Sequence, residues 1–210
     1  MSSSQPWNFG SPEDRWNGYL ISPDSQVLRN RLGILNLEEL QAAENDLLEL
    51  QVAKLRAEPG LIAHTYNLEH LRNVHFHLFQ DIYDWAGELR TVGLAKDGGE
   101  SFAPPLNISQ PVDHVVQRIA DSNRLANIPS EELPQELAYL YDYVNFAHPF
   151  REGNGRTQRE FFQQLLQETG RGLNWSAITS TQLHTACHVA RNDGDLDPLV
   201  LIFEKVLITS

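Results

Sequence analysis

Length, composition and charge are those of an ordinary globular protein and disfavour several functions. The chain has 210 residues, enough for one domain with a sizeable core, and 41% of them are hydrophobic. Its 28 acidic and 16 basic side chains give a formal net charge of −12, which disfavours broad binding to nucleic acid. Cys187 is the one cysteine, which excludes an intramolecular disulfide and a cysteine-rich zinc module.

The N-terminus and the hydropathy predict neither an export signal nor a membrane anchor. The start, MSSSQPWNFGSPEDRW, has no basic stretch followed by an apolar run. No part of the chain approaches the roughly 20 apolar residues of a membrane helix. We therefore expect a cytoplasmic protein without membrane contact. Residues 1–18 are polar and rich in Ser, Pro and Gly, and we expect them to be a flexible segment.

Apolar residues follow a helical period from Asn36 onward. One helix is predicted from the N-cap Asn36 to Pro59, and a second from Asn67 to Gly87. Residues 88–108 are rich in glycine and proline and predict a small β-hairpin or flap. The remaining helices are predicted near 110–126, 135–147, 154–169, 181–192 and 198–207, the last with Asp197 as its cap. The sum is a mostly α fold with a short β-hairpin flap.

A loop between two of these helices, HPFREGNGRTQR at 148–159, has the backbone features of an anion site. Pro149 disfavours helical geometry at His148, so the preceding helix should end there. Gly153 and Gly155 permit backbone angles that other residues avoid. A glycine-rich turn that opens into a helix directs amide N–H groups, and the positive end of the helix dipole, toward anionic oxygens.

The charged side chains of the same loop predict a magnesium-dependent nucleotide site. Arg156 and Arg159 are three positions apart, on one face of the first helical turn, and two guanidinium groups suit a polyphosphate. Glu152 supplies a single carboxylate, as is usual where Mg²⁺ binds beside a nucleotide. His148 can accept a proton near neutral pH from an incoming hydroxyl. Each residue alone has an ordinary structural explanation, but their combination favours function.

The loop resembles the Fic-domain signature His-x-Phe-x-(Asp/Glu)-Gly-Asn-Gly-Arg-x-x-Arg at every defined position. Residues 19–34 are similar to the segment that opens many Fic domains. Residues 75–92 are similar to the central helix and flap entry of the family, and residues 101–108 to its flap exit. The resemblance covers about residues 19–207, so we expect a single Fic domain at 19–210.

The resemblance implies a mostly α-helical enzyme that transfers AMP from ATP to a Ser, Thr or Tyr hydroxyl of a target protein and releases pyrophosphate. By the match, His148 is the catalytic base and Glu152 holds Mg²⁺ against the phosphates. The other matched positions bind the nucleotide, with Gly153, Asn154 and Gly155 as an anion hole and Arg156 and Arg159 on the β- and γ-phosphates.

Gly155 and the flap refine this expectation. In the Doc branch of the superfamily a lysine stands at the place of Gly155 and the reaction is phosphate transfer, so glycine favours nucleotidyl transfer over a kinase. The flap, roughly 90–102, is expected to pair with an extended stretch of the target, with Lys96 and Phe102 as its contacts. Two alternatives stay open: a different nucleotide donor, and a non-catalytic nucleotide-binding module.

The chain lacks the pattern by which many Fic proteins inhibit themselves, a helix with (Ser/Thr)-x-x-x-Glu-(Gly/Asn). Glutamate precedes Gly or Asn only at Glu152 and Glu44, and the residues four positions earlier are His148 and Leu40. The resemblance therefore implies a toxin restrained by a separate small antitoxin protein. The toxin branch of the family implies type II topoisomerase subunits as targets.

Four further histidines are assigned structural roles. His184 and His188 are four positions apart in the sequence HTACH, which lacks the glutamate of a zinc protease and has no evident further ligand. His75 and His77 are two positions apart on a predicted helix and should point to different sides. The sequence therefore predicts no metal site at either pair.

Overall fold

The computed structural model describes residues 5–95 and 101–208, and within these ranges the chain is mainly α-helical. Short 3-10 turns at Pro6–Asn8, Pro59–Leu61, Pro105–Asn107 and Trp175–Ala177 lie between the longer elements. The helices are α1 (Pro12–Gly18), α2 (Leu37–Ala57), α3 (Leu68–Phe79), α4 (Ser109–Asp121), α5 (Leu133–Ala147), α6 (Asn154–Gln167), α7 (Ser180–Asp193) and α8 (Asp197–Val206).

The starts of the long helices follow the capping residues seen in the sequence. The side chain of Asn36 accepts a hydrogen bond from the backbone N–H of Glu39, and Asn67 does the same for His70. At α8 the expected cap was wrong. Asp197 is the first helical residue, and its own N–H donates to Oδ1 of Asp195 over 2.9 Å. The carboxylate that satisfies this helix start therefore lies two residues earlier.

Helix α3 is shorter than predicted. It ends at Phe79, whereas the apolar pattern had suggested continuation to Gly87. Ile82, Tyr83 and Trp85 are all buried, and the Tyr83 and Trp85 rings stack with centroids 4.3 Å apart. Apolar residues so close in sequence would lie on different sides of a helix, so a series of turns is needed to bury all three.

Two hydrophobic clusters surround α3, α5 and α6. One joins residues of α4 to α8 and includes Phe161 and Phe203, which are almost fully buried. The other joins α2, α3 and the turns after α3, and includes Phe79 and Trp85. The loop between α5 and α6 has a residue in the first cluster, Phe150, and its Gly153 lies against Phe79 of the second. The loop between α5 and α6 thus lies between two packed hydrophobic clusters.

Strand structure is limited in the described ranges. Strands β1 (Gly172–Leu173) and β2 (Leu207–Ile208) pair antiparallel, with Gly172 opposite Ile208 and Leu173 opposite Leu207. The two ends of the expected flap approach each other through an antiparallel bridge between Ala95 and Ser101. The tip of the flap, with Lys96, lies outside the described residues.

Residues 5–18 do not match the expectation of a flexible N-terminal segment. They form a 3-10 turn and α1, whose N-cap Ser11 makes a reciprocal capping box with Asp14. Trp7 is 3% exposed, and its indole N–H donates to Glu88 over 2.9 Å. Ser and Pro in this segment thus serve as helix caps and first-turn residues, and Trp7 anchors it to the core. The assignment of one domain at 19–210 stays a prediction.

The described helices lack the properties of a membrane span. None of those helices combines sufficient length with sufficient apolar character to cross a bilayer. The longest, α2, carries charged residues along its whole length.

Candidate functional site

The loop between α5 and α6 has a backbone that two residues make possible. His148 caps α5 in the left-handed region, with φ 40° and ψ 61°. Gly153 precedes α6 with φ +82°, and a Cβ added there would lie 2.5 Å from the ring of Phe79. Phe79 is fully buried and has no room to yield. Glycine is therefore required at 153, whereas the unfavourable angles at His148 must be held by its surroundings.

Side chains from outside and inside the loop bind its peptide groups. Asn154 donates to the carbonyl of Phe150 and accepts from its N–H, both over 2.8 Å. His75 accepts from the N–H of Gly87 at Nδ1 over 2.8 Å and lies 3.0 Å from the Glu152 carbonyl oxygen through Nε2. Because a carbonyl only accepts, Nε2 of His75 carries the proton. The loop is thus fastened at Phe150 and at Glu152.

His75 is a neutral, fully buried support for this loop. Burial away from water lowers its pKa from 6.5 to about 3. Its ring stacks on Phe150 with centroids 3.9 Å apart, so it contacts the loop by both ring face and nitrogen. The sequence had assigned His75 no link to the site. A histidine in the middle of a predicted helix gave no signal of this long-range contact.

A cavity of about 350 Å³, within the usual size range of small-molecule sites, opens beside the loop. Of the residues predicted for the site, it brings together His148, Glu152, Asn154, Gly155 and Arg159, and it adds Phe102 of the flap. Other lining residues come from α5 and α7. The N-terminus of α6 opens into the cavity at Gly155, which suits an anion because helix N-termini present free N–H groups.

The imidazole of His148 is held at one nitrogen. Its Nδ1 lies 3.3 Å from the carbonyl oxygen of Asn145 and, because a carbonyl only accepts, Nδ1 is the donor in this contact. The Phe102 ring is stacked on the imidazole, with centroids 3.7 Å apart and planes 14° apart. Phe102, predicted as a contact for the target, therefore contacts the predicted base itself.

Arg156 is paired with two carboxylates. Its guanidinium lies 2.7 Å from the carboxylate of Glu44 on α2 and 3.3 Å from that of Glu152. Arg156 lines a second cavity of about 590 Å³, next to the first. Arg159 lines the first cavity and Arg156 is not among the described residues that line it, and the convergence of the two guanidinium groups on one phosphate tail stays a prediction. Arg156 is held by Glu44, a buried carboxylate that needs a positive partner and comes from a distant part of the chain.

The wall opposite the loop belongs to α7 and was not predicted. His184 and His188, which the sequence placed in a structural role, lie on this wall. Arg191 also lines it and is paired with Asp142 of α5 over 2.9 Å. These positions recur at three- and four-residue intervals, a helical stripe that could have been found in the sequence. The full α7 lining is Leu183, His184, Cys187, His188, Arg191 and Asn192.

The acidic side chain of the loop, Glu152, is the residue to consider for a metal ion. Among the residues that the structure describes, no group of three or more His, Cys, Asp or Glu side chains is suited to a metal ion. Glu152 lines the cavity with a side chain that is 45% exposed, and its Oε1 accepts from the N–H of Gly153. A cation here would have Glu152, water and a ligand's own oxygens, which is how Mg²⁺ binds at nucleotides.

Comparison with known proteins gives the same family that the loop suggested. The model of the Fic/DOC family matches residues 65–166. A relative from Escherichia coli strain K12, named "Probable protein adenylyltransferase Fic", is 33% identical over 199 residues, which cover 95% of this chain and 94% of the relative. A "Protein adenylyltransferase" of Bartonella henselae is 30% identical, and this chain spans 37% of its length.

Solved structures of similar proteins extend the likeness to three dimensions. BepC, a VirB-translocated effector of Bartonella tribocorum solved with bound AMPPNP, has a TM-score of 0.84 at 25% identity, over 89% of this chain and 95% of that one. The N-terminal Fic domain of a Bartonella quintana effector with bound ADP has a TM-score of 0.83 at 26% identity, over 89% and 93%. The chain therefore belongs to the Fic/DOC family and groups with its protein adenylyltransferases.

Proposed function

We propose that this protein transfers AMP from ATP to a hydroxyl side chain of a target protein and releases pyrophosphate. One observation carries the proposal: a base, a helix N-terminus and an arginine line a single cavity, as His148, Gly155 and Arg159. Solved relatives that bind AMPPNP and ADP support a nucleotide as the occupant. The glycine at 155, where a lysine marks the kinase branch, favours nucleotidyl over phosphate transfer.

The proton chemistry rests on His148. Its Nε2 accepts the proton of the incoming hydroxyl while the oxygen of that hydroxyl attacks the α-phosphorus of ATP. The bond from the α-phosphorus to the bridging oxygen breaks, and pyrophosphate leaves. The proton on Nδ1 is held by the carbonyl of Asn145 throughout, which keeps Nε2 as the basic nitrogen.

The negative charge of the phosphates is balanced by the start of α6. The amide groups at Gly153, Asn154 and Gly155, with the positive end of the helix dipole, form the anion hole. We assign the main grip on the β- and γ-phosphates to Arg159, since it lines the cavity. Arg156 is a second and weaker contact, because its guanidinium is shared with Glu44 and Glu152.

Glu152 is the residue that would hold Mg²⁺. When bound, the ion would neutralise charge on the phosphates and so help pyrophosphate to leave. The half-exposed carboxylate at the cavity and the lack of a richer ligand cluster in the described ranges fit an ion that arrives with its nucleotide. Binding of ATP to the protein should therefore tighten when Mg²⁺ is added.

The flap is proposed as the dock for the target protein. An extended segment of the target would pair with the flap and bring its hydroxyl to Nε2 of His148. Phe102 is adjacent to that nitrogen, and Lys96 at the tip is the second proposed contact.

A separate inhibitory protein is proposed to restrain the enzyme, which would act as the toxin of a toxin–antitoxin pair. The missing (Ser/Thr)-x-x-x-Glu-(Gly/Asn) pattern supports this, since Leu40 stands where that pattern needs Ser or Thr. Type II topoisomerase subunits are the proposed targets by family resemblance alone. Labelling of purified gyrase and topoisomerase IV subunits, with bovine serum albumin as control, tests this separately from the activity.

The activity is tested with ATP labelled in the α- or the γ-phosphate, together with Mg²⁺ and a constant amount of cell lysate as the source of target protein. Transfer of the α-label alone supports the proposal, and transfer of the γ-label alone would make the protein a kinase. Label from another nucleoside triphosphate but not from ATP would indicate a different donor. Binding of ATP without any transfer would indicate a binding module. His148→Ala should abolish transfer, whereas His114→Ala, on the exposed face of α4, should not.

A further inference from the structure

Arg90 is a buried arginine that the site as described so far does not use. It is 2% exposed, and its guanidinium contacts backbone carbonyls, while no carboxylate in the described ranges forms an ion pair with it. Nε donates to His148 over 2.7 Å and Nη1 donates to Val92 over 2.7 Å. Nη2 donates to Ala147 over 3.3 Å and also to Ala103. Four carbonyl dipoles therefore replace an acidic partner for this charge.

These acceptors belong to two parts of the site. Ala147 and His148 form the C-terminal end of α5, where helix carbonyls lack intrahelical donors and carry partial negative charge. Val92 lies at the start of the flap and Ala103 directly after its end. The backbone N–H of Arg90 adds a bond to the carbonyl of Pro149 over 2.9 Å. Arg90 thus joins the two ends of the flap to the loop that carries His148, the proposed general base.

The contact with His148 falls where the backbone is strained. A non-glycine residue at φ 40° has an unfavourable backbone conformation, which persists only when its surroundings hold it. The Nε–H of Arg90 binds the carbonyl of that same residue. Without this bond, the peptide after His148 would be free to relax, and the imidazole would turn with it.

This inference rests on the proposed function. We propose that Arg90 is a positioning residue, which fixes the position of the His148 imidazole relative to the two ends of the flap. The target hydroxyl registered by the flap then meets Nε2 of His148 at reacting distance. Arg90 is not among the described residues that line the nucleotide cavity, so it acts through His148 and the flap.

Burial lowers the pKa of Arg90 to about 10, so the side chain still carries its charge at neutral pH. A planar guanidinium with five donors can serve four carbonyls in different directions. A lysine keeps the charge but offers a single nitrogen, which reaches only some of them. Arg90→Lys keeps the charge but loses the branched guanidinium, and Arg90→Gln loses both. The two variants therefore separate the need for charge from the need for several donors.

The experiment measures α-label transfer into a fixed lysate over a range of ATP concentrations, and AMPPNP affinity by calorimetry. We expect the maximal rate to fall at least tenfold in Arg90→Lys and further in Arg90→Gln, with the half-saturating ATP concentration and the AMPPNP affinity unchanged. The control is Arg171→Lys, another arginine that donates to backbone carbonyls, at Leu125 and Ile128, far from the loop. It should keep the wild-type rate.

Two results would overturn the proposal. One is a wild-type maximal rate in Arg90→Lys and Arg90→Gln. The other is a loss of AMPPNP affinity that parallels a loss of melting temperature, which would give Arg90 a merely structural role.

A readout without activity keeps this inference separate from the proposed function. The imidazole NMR signals of His148 are identified by their absence in a His148→Asn variant. In Arg90→Lys they should shift, while those of His114 stay unchanged. If the wild type transfers no label, the proposed function fails, but this spectrum still tests whether Arg90 positions His148. Unshifted His148 signals would then refute the positioning role.

Discussion

The ring of Phe102 lies flat on the imidazole of His148, with centroids 3.7 Å apart and planes 14° apart. Phe102 is at the end of the flap, and its backbone N–H donates to the carbonyl of Leu94 on the other side of the flap over 3.1 Å. The element proposed to hold the target and the residue proposed to take its proton are therefore in direct contact. A movement of the flap would therefore change the surroundings of the His148 imidazole.

Phe102→Leu should slow transfer without changing nucleotide binding. Leucine retains apolar bulk but loses the stacked face, and an aromatic pair contributes about 0.5–1.5 kcal/mol beyond its buried area. The loss would appear in the rate as a factor of up to about ten, since about 1.4 kcal/mol is tenfold. The α-label assay and AMPPNP calorimetry measure the two effects. Phe9→Leu, at an exposed position, is the control, and equal rates in both variants would refute the role of the stack.

Arg156 and Arg159, at the start of α6, should differ in what they contribute to nucleotide binding and to stability. Arg159→Ala should weaken ATP binding about tenfold to hundredfold, because hydrogen bonds to charged groups contribute about 1.5–3 kcal/mol. Its melting temperature should change little. Calorimetry with AMPPNP and Mg²⁺ gives the affinity, and a thermal scan gives the stability. An unchanged affinity would remove Arg159 from the phosphate site.

Arg156→Ala should mainly destabilise the fold. The side chains of Arg156 and Glu44 are 17% and 9% exposed, and loss of one partner leaves the other as an uncompensated buried charge. Such losses cost about 3–5 kcal/mol. Chemical unfolding measures the change, and the double variant Glu44→Gln/Arg156→Ala should recover part of it. If the double variant is less stable than Arg156→Ala, the ion pair is not the cause.

Acid should destabilise this protein through two buried histidines. Burial lowers the pKa of His75 from 6.5 to about 3 and that of His70 from 6.5 to about 4. The unfolded chain therefore binds more protons than the native state between these values and pH 6.5. The stabilisation is complete above pH 6.5 and is lost as the pH falls below it, by about 2 kcal/mol per histidine at pH 5.

The measurement is denaturant unfolding at pH 7.5 and pH 5.0. His70→Gln should lose less stability than the wild type between these two values, because glutamine has no proton to gain. His114→Gln, which alters an exposed histidine, should behave like the wild type. A wild-type pH dependence in His70→Gln would show that another group controls the acid response.

The sequence predicted the parts of the site that depend on local chemistry. The proline at 149 and the glycine at 153 gave the helix break and the turn into α6, and the structure confirms both. Asn36 and Asn67 gave the helix starts for the same reason, since capping is decided within a few residues. The family signature placed His148 and Arg159 at the loop, where they line one cavity.

Long-range partners could not be predicted in this way. Glu44 and Arg156 are 112 positions apart, and nothing local indicates that α2 would bring a buried carboxylate to the loop. The contacts of His75 with Gly87 and Glu152 likewise depend on how α3 packs beneath the loop. The pairing is decided by burial, which makes an unpaired charge or polar group unfavourable and so selects its partner in three dimensions.

Residues 5–18 should contribute to stability, against the expectation from their composition. Trp7 stacks on Tyr19 with centroids 5.8 Å apart, and the hydroxyl of Thr91 donates to the Trp7 carbonyl. Trp7→Ala should therefore destabilise the protein by about 3–5 kcal/mol, the range for removal of a large buried aromatic. Phe9→Ala, where the side chain is 67% exposed, should change stability by less than about 0.5 kcal/mol. Denaturant unfolding of both variants compares them, and equal values would mean that this segment packs without stabilising the core.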